Sequence, residues 1–305
     1  MTTPELTRLL VPLDGSRLAE AVLPAVEILA ARFGAQVTLI HVMEKRPPTH
    51  VHGDRHLVNA AEAESYLRKV ENRLRPQGIE VRIEVHGGPE EDIAQSVVEH
   101  AEEFAPDLLI LCTHGHQDLG RLLFGSIALQ VLQRGTRPLL LIQPEDDGTA
   151  PAFAPRHILV PLDGKQEHES AISMALLMAH AFGSELDLVF VVPTLGTLPS
   201  DRSATATLLP ATTRALLDLD QQQAADYLQR VSDQCRTAGL AANAHVLRGD
   251  TVTELVQYAE RVGCDLIAMP SHGRVGLKAL LAGSVTRRIS AKVKTPLLLV
   301  RDTGE

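Results

Sequence analysis

Leu10-Val11-Pro12-Leu13-Asp14-Gly15-Ser16 recurs as Leu159-Val160-Pro161-Leu162-Asp163-Gly164-Lys165. A second pair is longer: His114-Gly115 and then Gly125-Ser126, matched by His272-Gly273 and then Gly283-Ser284. The chain therefore contains one unit twice, and such a repeat governs every later reading of the fold. Asp163 follows Asp14 by 149 residues, and Val191 follows Val42 by the same 149, so the first third of the two units aligns without gaps. Gly249 follows Gly87 by 162, which places an insertion of 13 residues between those points of copy two. Gly273 follows Gly115, and Pro296 follows Pro138, by 158, so copy two is four residues shorter between Gly249 and Gly273. That deficit is roughly one helical turn, as loops and helix ends of one fold tolerate.

The units span residues 1–144 and 156–305, joined by the linker 145–155. The linker is polar at Glu145 to Thr149 and Pro/Ala-rich to Pro155, as expected where few contacts cross. Within copy one, apolar runs alternate with helix-forming stretches. Strands are expected at Leu9–Val11, Val37–Val42, Glu80–Val85, Leu108–Leu111 and Leu139–Ile142. Helices are expected over Ala19–Phe33 with Gly34 as C-cap, Glu62–Arg75, Glu90–Phe104 with Pro89 near its start, and Ser126–Arg134. Copy two repeats the order, with strands at Ile158–Val160, Leu186–Val192, Ala241–Leu247, Leu266–Met269 and Leu297–Val300. Such alternation implies βαβ crossovers and a parallel sheet covered on both faces. The fold class is therefore α/β: two tandem doubly wound domains, each with a five-stranded parallel sheet.

Bulk properties exclude several functions. The 305 residues carry a net charge of −9, which favours neither nucleic acid nor an anionic membrane. No apolar run approaches the ~20 residues of a membrane span, and Met1 to Leu6 lack a signal-peptide pattern. Cys112, Cys235 and Cys264 are odd in number and lack C-x-x-C spacing, so neither a disulfide framework nor a zinc site is expected. A cytoplasmic location is the expectation. Aromatics make up 3% with no Trp, against stacking platforms for single strands.

In a doubly wound sheet, ligands bind beyond the C-terminal strand ends at the switch point. Asp14 follows strand one and Thr113-His114-Gly115 follows strand four, so topology brings these loops together. A carboxylate there can accept hydrogen bonds from ribose hydroxyls. Gly115 lets the backbone approach a ligand closely, and Gly125-Ser126 opens a helix whose free N–H groups suit phosphate. Asp163, Gly273, Gly283 and Ser284 offer the same parts in copy two. Taken singly, each is also ordinary turn or helix-cap chemistry.

At these residues the chain resembles the universal stress protein family, with its five-stranded α/β unit (Rossmann-like, of the adenine nucleotide alpha hydrolase type) and loop pattern G-x2-G-x9-G-[ST]. The resemblance covers both copies. Gly115 with Gly125-Ser126, and Gly273 with Gly283-Ser284, match the second and third parts of the pattern; the Val-Pro-Leu-Asp openings and His41-Val42 are similar too. The resemblance implies an adenine nucleotide, ATP, with or without Mg. It implies ribose contact by Asp14 and Asp163, adenine contact through backbone at Val42 and Val191, and phosphate contact by Gly115, Gly125, Ser126 and Ile127. In copy two the phosphate residues would be Gly273, Gly283, Ser284 and Val285. Pro12, Pro161, His114 and His272 complete the candidate set. The first loop glycine is replaced by Cys112 in copy one and by Pro270 in copy two. Both replacements add a side chain, and Pro270 also removes a donor.

The function implied is a stress-response sensor or regulator. The alternative is an interaction or scaffold protein with decayed sites. An enzyme ranks lower, at most a slow ATP hydrolase: no G-x-x-x-x-G-K-[ST] loop and no nucleophile–base constellation is evident. His50, His52 and His56 form a solvated loop or a metal site without completing carboxylates, and no metal is expected. Cys112 reads as a buried inert thiol or a redox-sensitive one. Arg274, Lys278, Arg287 and Arg288 mark either anion attraction or a solvated helix face. The insert, residues 193–214, reads as a lid or a partner-covering loop. The resemblance also implies pairing of Leu139–Ile142 with Leu297–Val300 within one chain, hiding two sheet edges. A homodimer of the whole chain stays open.

Overall fold

The computed structural model describes residues 5–51, 53–113, 126–145, 147–271 and 285–301. In copy one β1 (Arg8–Pro12) leads through a short 3-10 turn into α1 (Leu23–Phe33), then β2 (Gln36–Glu44). A small hairpin, β3 (His50–Val51) and β4 (Asp54–Arg55), precedes α2 (Ala60–Leu74). The copy continues with β5 (Val81–Glu90), α3 (Ile93–Phe104), β6 (Leu108–Cys112), α4 (Ser126–Arg134) and β7 (Leu139–Ile142). Copy two runs β8 (His157–Leu162), α5 (Ser170–Phe182), β9 (Glu185–Val192), α6 (Ser200–Leu208), α7 (Pro210–Thr237) and β10 (Ala242–Arg248). It ends with α8 (Thr251–Val262), β11 (Leu266–Ser271), α9 (Val285–Ser290) and β12 (Leu297–Arg301).

The strands join in one ten-stranded sheet, ordered β10-β9-β8-β11-β12-β7-β6-β1-β2-β5. Each half is parallel. The seam is antiparallel, with Leu297, Leu298 and Leu299 opposite Leu141, Leu140 and Leu139. The two copies thus form an intrachain pseudo-dimer, and the last strand of each leaves no open edge at the centre. Alternate residues of each strand feed two apolar layers. Leu9, Val11, Val37 and Leu39 pack with α1 and α2, while Leu10, Ile40, Leu109 and Leu111 pack with α3 and α4. Every central strand is therefore buried on both faces, which is why its sequence is a continuous apolar run rather than an alternating one.

Local chemistry ends the helices where expected. Gly34 caps α1 at φ 64°, the left-handed conformation that lacks a Cβ penalty in glycine, and its N–H reaches Ala30 O. Asn59, Asp92 and Asp250 cap α2, α3 and α8 by accepting the N–H of Glu62, Gln95 and Thr253.

Three expectations need correction. The helix expected from Glu90 begins instead at Ile93, because β5 runs on through Pro89 to Glu90. Pro89 is tolerated there because β5 is the outermost strand, so its missing N–H breaks no ladder. Few contacts are expected to cross the linker, yet Phe153 within it is only 3% exposed and meets the Phe182 ring at 6.4 Å, edge to face. Phe33 meets the same ring at 6.2 Å from the other copy. The insert, finally, is helical rather than a loop. It forms α6 and the first turns of α7, a helix of 28 residues.

Candidate functional site

The ladder between β1 and β6 spans two register pairs only, Leu9 with Leu108 and Leu10 with Leu109. Beyond them β1 stays with β2 as far as Pro12, and β6 stays with β7 as far as Cys112. The two central strands thus splay apart at their C-terminal ends. Copy two does the same: β8 and β11 pair at Ile158 with Leu266 and at Leu159 with Ile267, then diverge. This is the switch-point crevice that the topology requires, and it is present twice.

Asp14 stands at the lip of the first crevice. Its carboxylate accepts the Ser16 N–H at 2.8 Å, which closes a tight turn. Gly15 sits at φ 91°, and Leu57 lies so close that a Cβ on Gly15 would be 2.8 Å from it. Arg17 N–H donates to Asp54 at 2.8 Å, so the β3–β4 hairpin is tied to the same turn. Asp163 repeats the turn by accepting the Lys165 N–H at 3.2 Å. Pro12 and Pro161 are half-buried at the ends of their strands, and Val42 is buried on β2.

The residues that replace the loop glycine adapt to their strands. Cys112 shares its face with Leu108 and Ile110, so its side chain enters the α1–α2 layer and is 8% exposed. Burial, reinforced by the Asp14 charge, pushes its thiol well above the ordinary range. That is the inert cysteine rather than the reactive one. Pro270 is paired with Val300 on β12, past the point where β8 leaves β11, so its missing donor costs no hydrogen bond on the β8 side.

Ser126 and Ile127 open α4, and Val285 opens α9. His114, Gly115, Gly125, His272, Gly273, Gly283 and Ser284 lie outside the described residues, as do His52, Arg274 and Lys278. Arg288 is engaged with Asp250 at 3.2 Å. Hydrogen bonds from the Thr253 backbone N–H first, with the Arg288 guanidinium adding to them, hold the Asp250 carboxyl below its usual range.

His56 departs from the solvated loop expected for it. It is 2% exposed, its Nε2 lies 3.3 Å from Glu44 Oε1, and its Nδ1 lies 2.7 Å from Leu57 O. Its ring is 6.2 Å from that of His41, whose Nδ1 is 2.7 Å from Leu13 O. Burial holds His41 below its usual range, which favours the neutral imidazole. Among the described residues no group of three His, Cys, Asp or Glu is arranged to hold a metal.

Fold and crevices together define a duplicated doubly wound α/β protein with one switch-point crevice in each copy. The chain belongs to the universal stress protein family: the family profile matches residues 5–143 and 155–301. A universal stress protein from Methanocaldococcus jannaschii is 28% identical over 149 residues, 48% of this chain and 82% of that protein. One from Mycolicibacterium smegmatis is 25% identical over 224 residues, 73% of this chain and 70% of that protein. The crystal structure of a universal stress protein from Archaeoglobus fulgidus has a TM-score of 0.73 at 15% identity, covering 99% of this chain and 100% of that one. At that identity the likeness supports the fold alone. No helix among the described residues is long and apolar enough to cross a membrane.

Proposed function

We propose that the chain binds an adenine nucleotide, ATP, at its switch-point crevices and acts in the cytoplasm as a stress-response sensor or regulator. The observation that carries this reading is the splaying of β1 from β6 after two register pairs, directly beside the Asp14 turn. The residues present fit such a group. Asp14 would offer a carboxylate oxygen to ribose hydroxyls, the Val42 backbone would meet the adenine, and α4 begins at Ser126, where the first N–H groups of a helix lack intrahelical partners and suit phosphate. Cys112 does not obstruct, because its side chain faces the core. Bound ATP would supply a negative charge and a conformational cue. No nucleophile and general base meet among the described residues, so turnover is expected to be slow or nil.

Calorimetry on ligand-stripped protein tests the proposal. ATP should give saturable binding, and Asp14→Ala and Asp163→Ala should each remove one site. Absence of heat at millimolar ATP would leave the second reading, an interaction protein with decayed sites. That reading draws support from exposed leucines on α6, on α7 and at their junction: Leu208 is 80% exposed, and Leu209, Leu216 and Leu219 are exposed too.

A further inference from the structure

Copy two holds a cleft whose counterpart in copy one is filled. Beyond the C-terminal ends of β8 and β9, an open cleft of about 580 Å³ lies between the sheet and α7. Asp163 and Phe190 line it from the sheet. Asp220, Tyr227 and Arg230 line it from α7, where positions three or four apart share one face. Arg202 reaches in from α6. The cleft opens on the face covered by α5 and α7. Val191 points to the opposite face, toward α8 and α9.

The counterpart can be read residue by residue. Asp163 and Phe190 follow Asp14 and His41 by 149, and Tyr227 follows Tyr66 by 161. The buried stripes agree with that alignment, Ala63, Leu67 and Val70 matching Ala224, Leu228 and Val231. In copy one the chain between β2 and α2 turns inward, placing Leu57 over Gly15 and burying His56 beside His41. In copy two the same stretch has become α6 and the start of α7. A Cβ on Gly164 would meet only the Phe190 ring, at 3.3 Å.

The walls carry both signs of charge around an aromatic floor. Phe190 and Tyr227 meet edge to face at 6.3 Å. The Tyr227 hydroxyl donates to Glu169 at 3.0 Å, which fixes the ring. Arg230 lies 5.9 Å from the centroid of that ring. Arg202 is paired with Asp220 at 3.8 Å, whereas Asp226 has no ionic partner among the described residues. A simple anion would meet the carboxylates, and a simple cation would meet the guanidinium groups. A molecule that carries both an ammonium and a carboxylate on an apolar body satisfies each wall. Asp226 and Arg230 are four apart on α7, roughly 5–6 Å between Cβ atoms, a spacing that an α-amino acid head group bridges. The volume lies within the roughly 300–1,000 Å³ usual for small-molecule sites.

We propose that this cleft binds a small zwitterion of the α-amino-acid class with an apolar or aromatic side chain. Its ammonium faces Asp226, its carboxylate faces Arg230, and its side chain lies against Phe190 and Tyr227. The proposal does not require ATP to bind, although Asp163 is shared with the ribose contact proposed for copy two, so the two ligands would compete there. Calorimetry on the full chain, with L-phenylalanine, L-tryptophan and L-leucine as probes, tests it beside phenethylamine and 3-phenylpropanoate. At least one amino acid should bind, with each singly charged analogue about tenfold weaker or worse. Asp226→Asn and Arg230→Gln, both at exposed positions, should each cost about tenfold, while Asp14→Ala should not alter amino-acid binding. Circular dichroism establishes that the variants are folded. Absence of saturable heat with all three amino acids at millimolar concentration would overturn the proposal. So would equal binding of the analogues, indifference to both variants, or loss of ATP binding in both, which would assign the cleft to the nucleotide.

Discussion

Phe153→Ala separates a structural linker from a passive one. Phe153 lies in the segment between the copies, is almost wholly buried, and packs edge to face on Phe182, which also meets Phe33. A buried Phe removes on the order of 150–250 Å² from water. At ~25 cal/mol per Å² that is an upper bound of about 4–6 kcal/mol. Truncation of buried Phe to Ala commonly costs about 3–5 kcal/mol, and about 3 kcal/mol is expected here because an irregular segment can partly collapse into the space. In a chain of this size each kcal/mol shifts Tm by roughly 2 °C, so Tm should fall by about 5 °C or more. Scanning calorimetry measures this directly. Because Phe153 packs where the two copies meet, the variant should also broaden the transition or split it in two. Phe153→Leu, which keeps most of the volume, should recover more than half the loss. A Tm within about 1 °C of the parent would mean that the segment is a tether after all.

Other consequences are as direct. Gly15→Ala meets both the φ of 91° and Leu57, so it should cost about 1–3 kcal/mol and make the 45–59 stretch easier to cleave; unaltered denaturant and protease profiles would refute that contact. Burial pushes Cys264 up to about 12, and it raises the thiols of Cys112 and Cys235 as well, so none should react with a thiol reagent near neutral pH until the protein is unfolded. Labelling of any of them at the rate of a free thiol would contradict this. His41 is held below its unfolded value of 6.5, so the unfolded chain binds a proton that the native ring refuses. Stability therefore falls as pH drops below 6.5, and His41→Phe, which installs the copy-two residue, should flatten the pH dependence of the denaturation midpoint. An identical slope in the variant would exclude His41 as the source.

Much of the fold was legible because it rests on local or periodic signals. The 149-residue offset aligned the two copies, apolar runs marked strands buried on both faces, and Gly34 marked a helix end. Legibility failed where a residue's role depends on its neighbour across space. Pro89 suggested a helix start, yet it is accepted in a strand because that strand has no further partner. Phe153 looked like one apolar residue in a Pro/Ala-rich linker; only Phe182 gives it a place. The three histidines of the 50–56 stretch were alike in sequence, yet His50 is exposed and His56 is buried. A signal for the copy-two cleft did exist in the chain, since Tyr66 and Tyr227 correspond once the insertion is counted. It shows nothing about whether the space beside them is filled.

Repeat, patterning and capping chemistry were sufficient for a duplicated doubly wound α/β chain with an Asp turn at the head of each copy. These features arise from hydrogen bonding and burial over a few residues, so they are written along the chain. The pairing of β7 with β12, implied by the family resemblance, is what the sheet shows; tertiary structure alone decided two further matters: that β1 leaves β6 after two pairs, and that Leu57 and His56 fill in copy one the space left open beside Phe190 and Tyr227 in copy two. Each depends on how the volumes of side chains distant in sequence add up in one place, and close packing is a property of that place rather than of any segment.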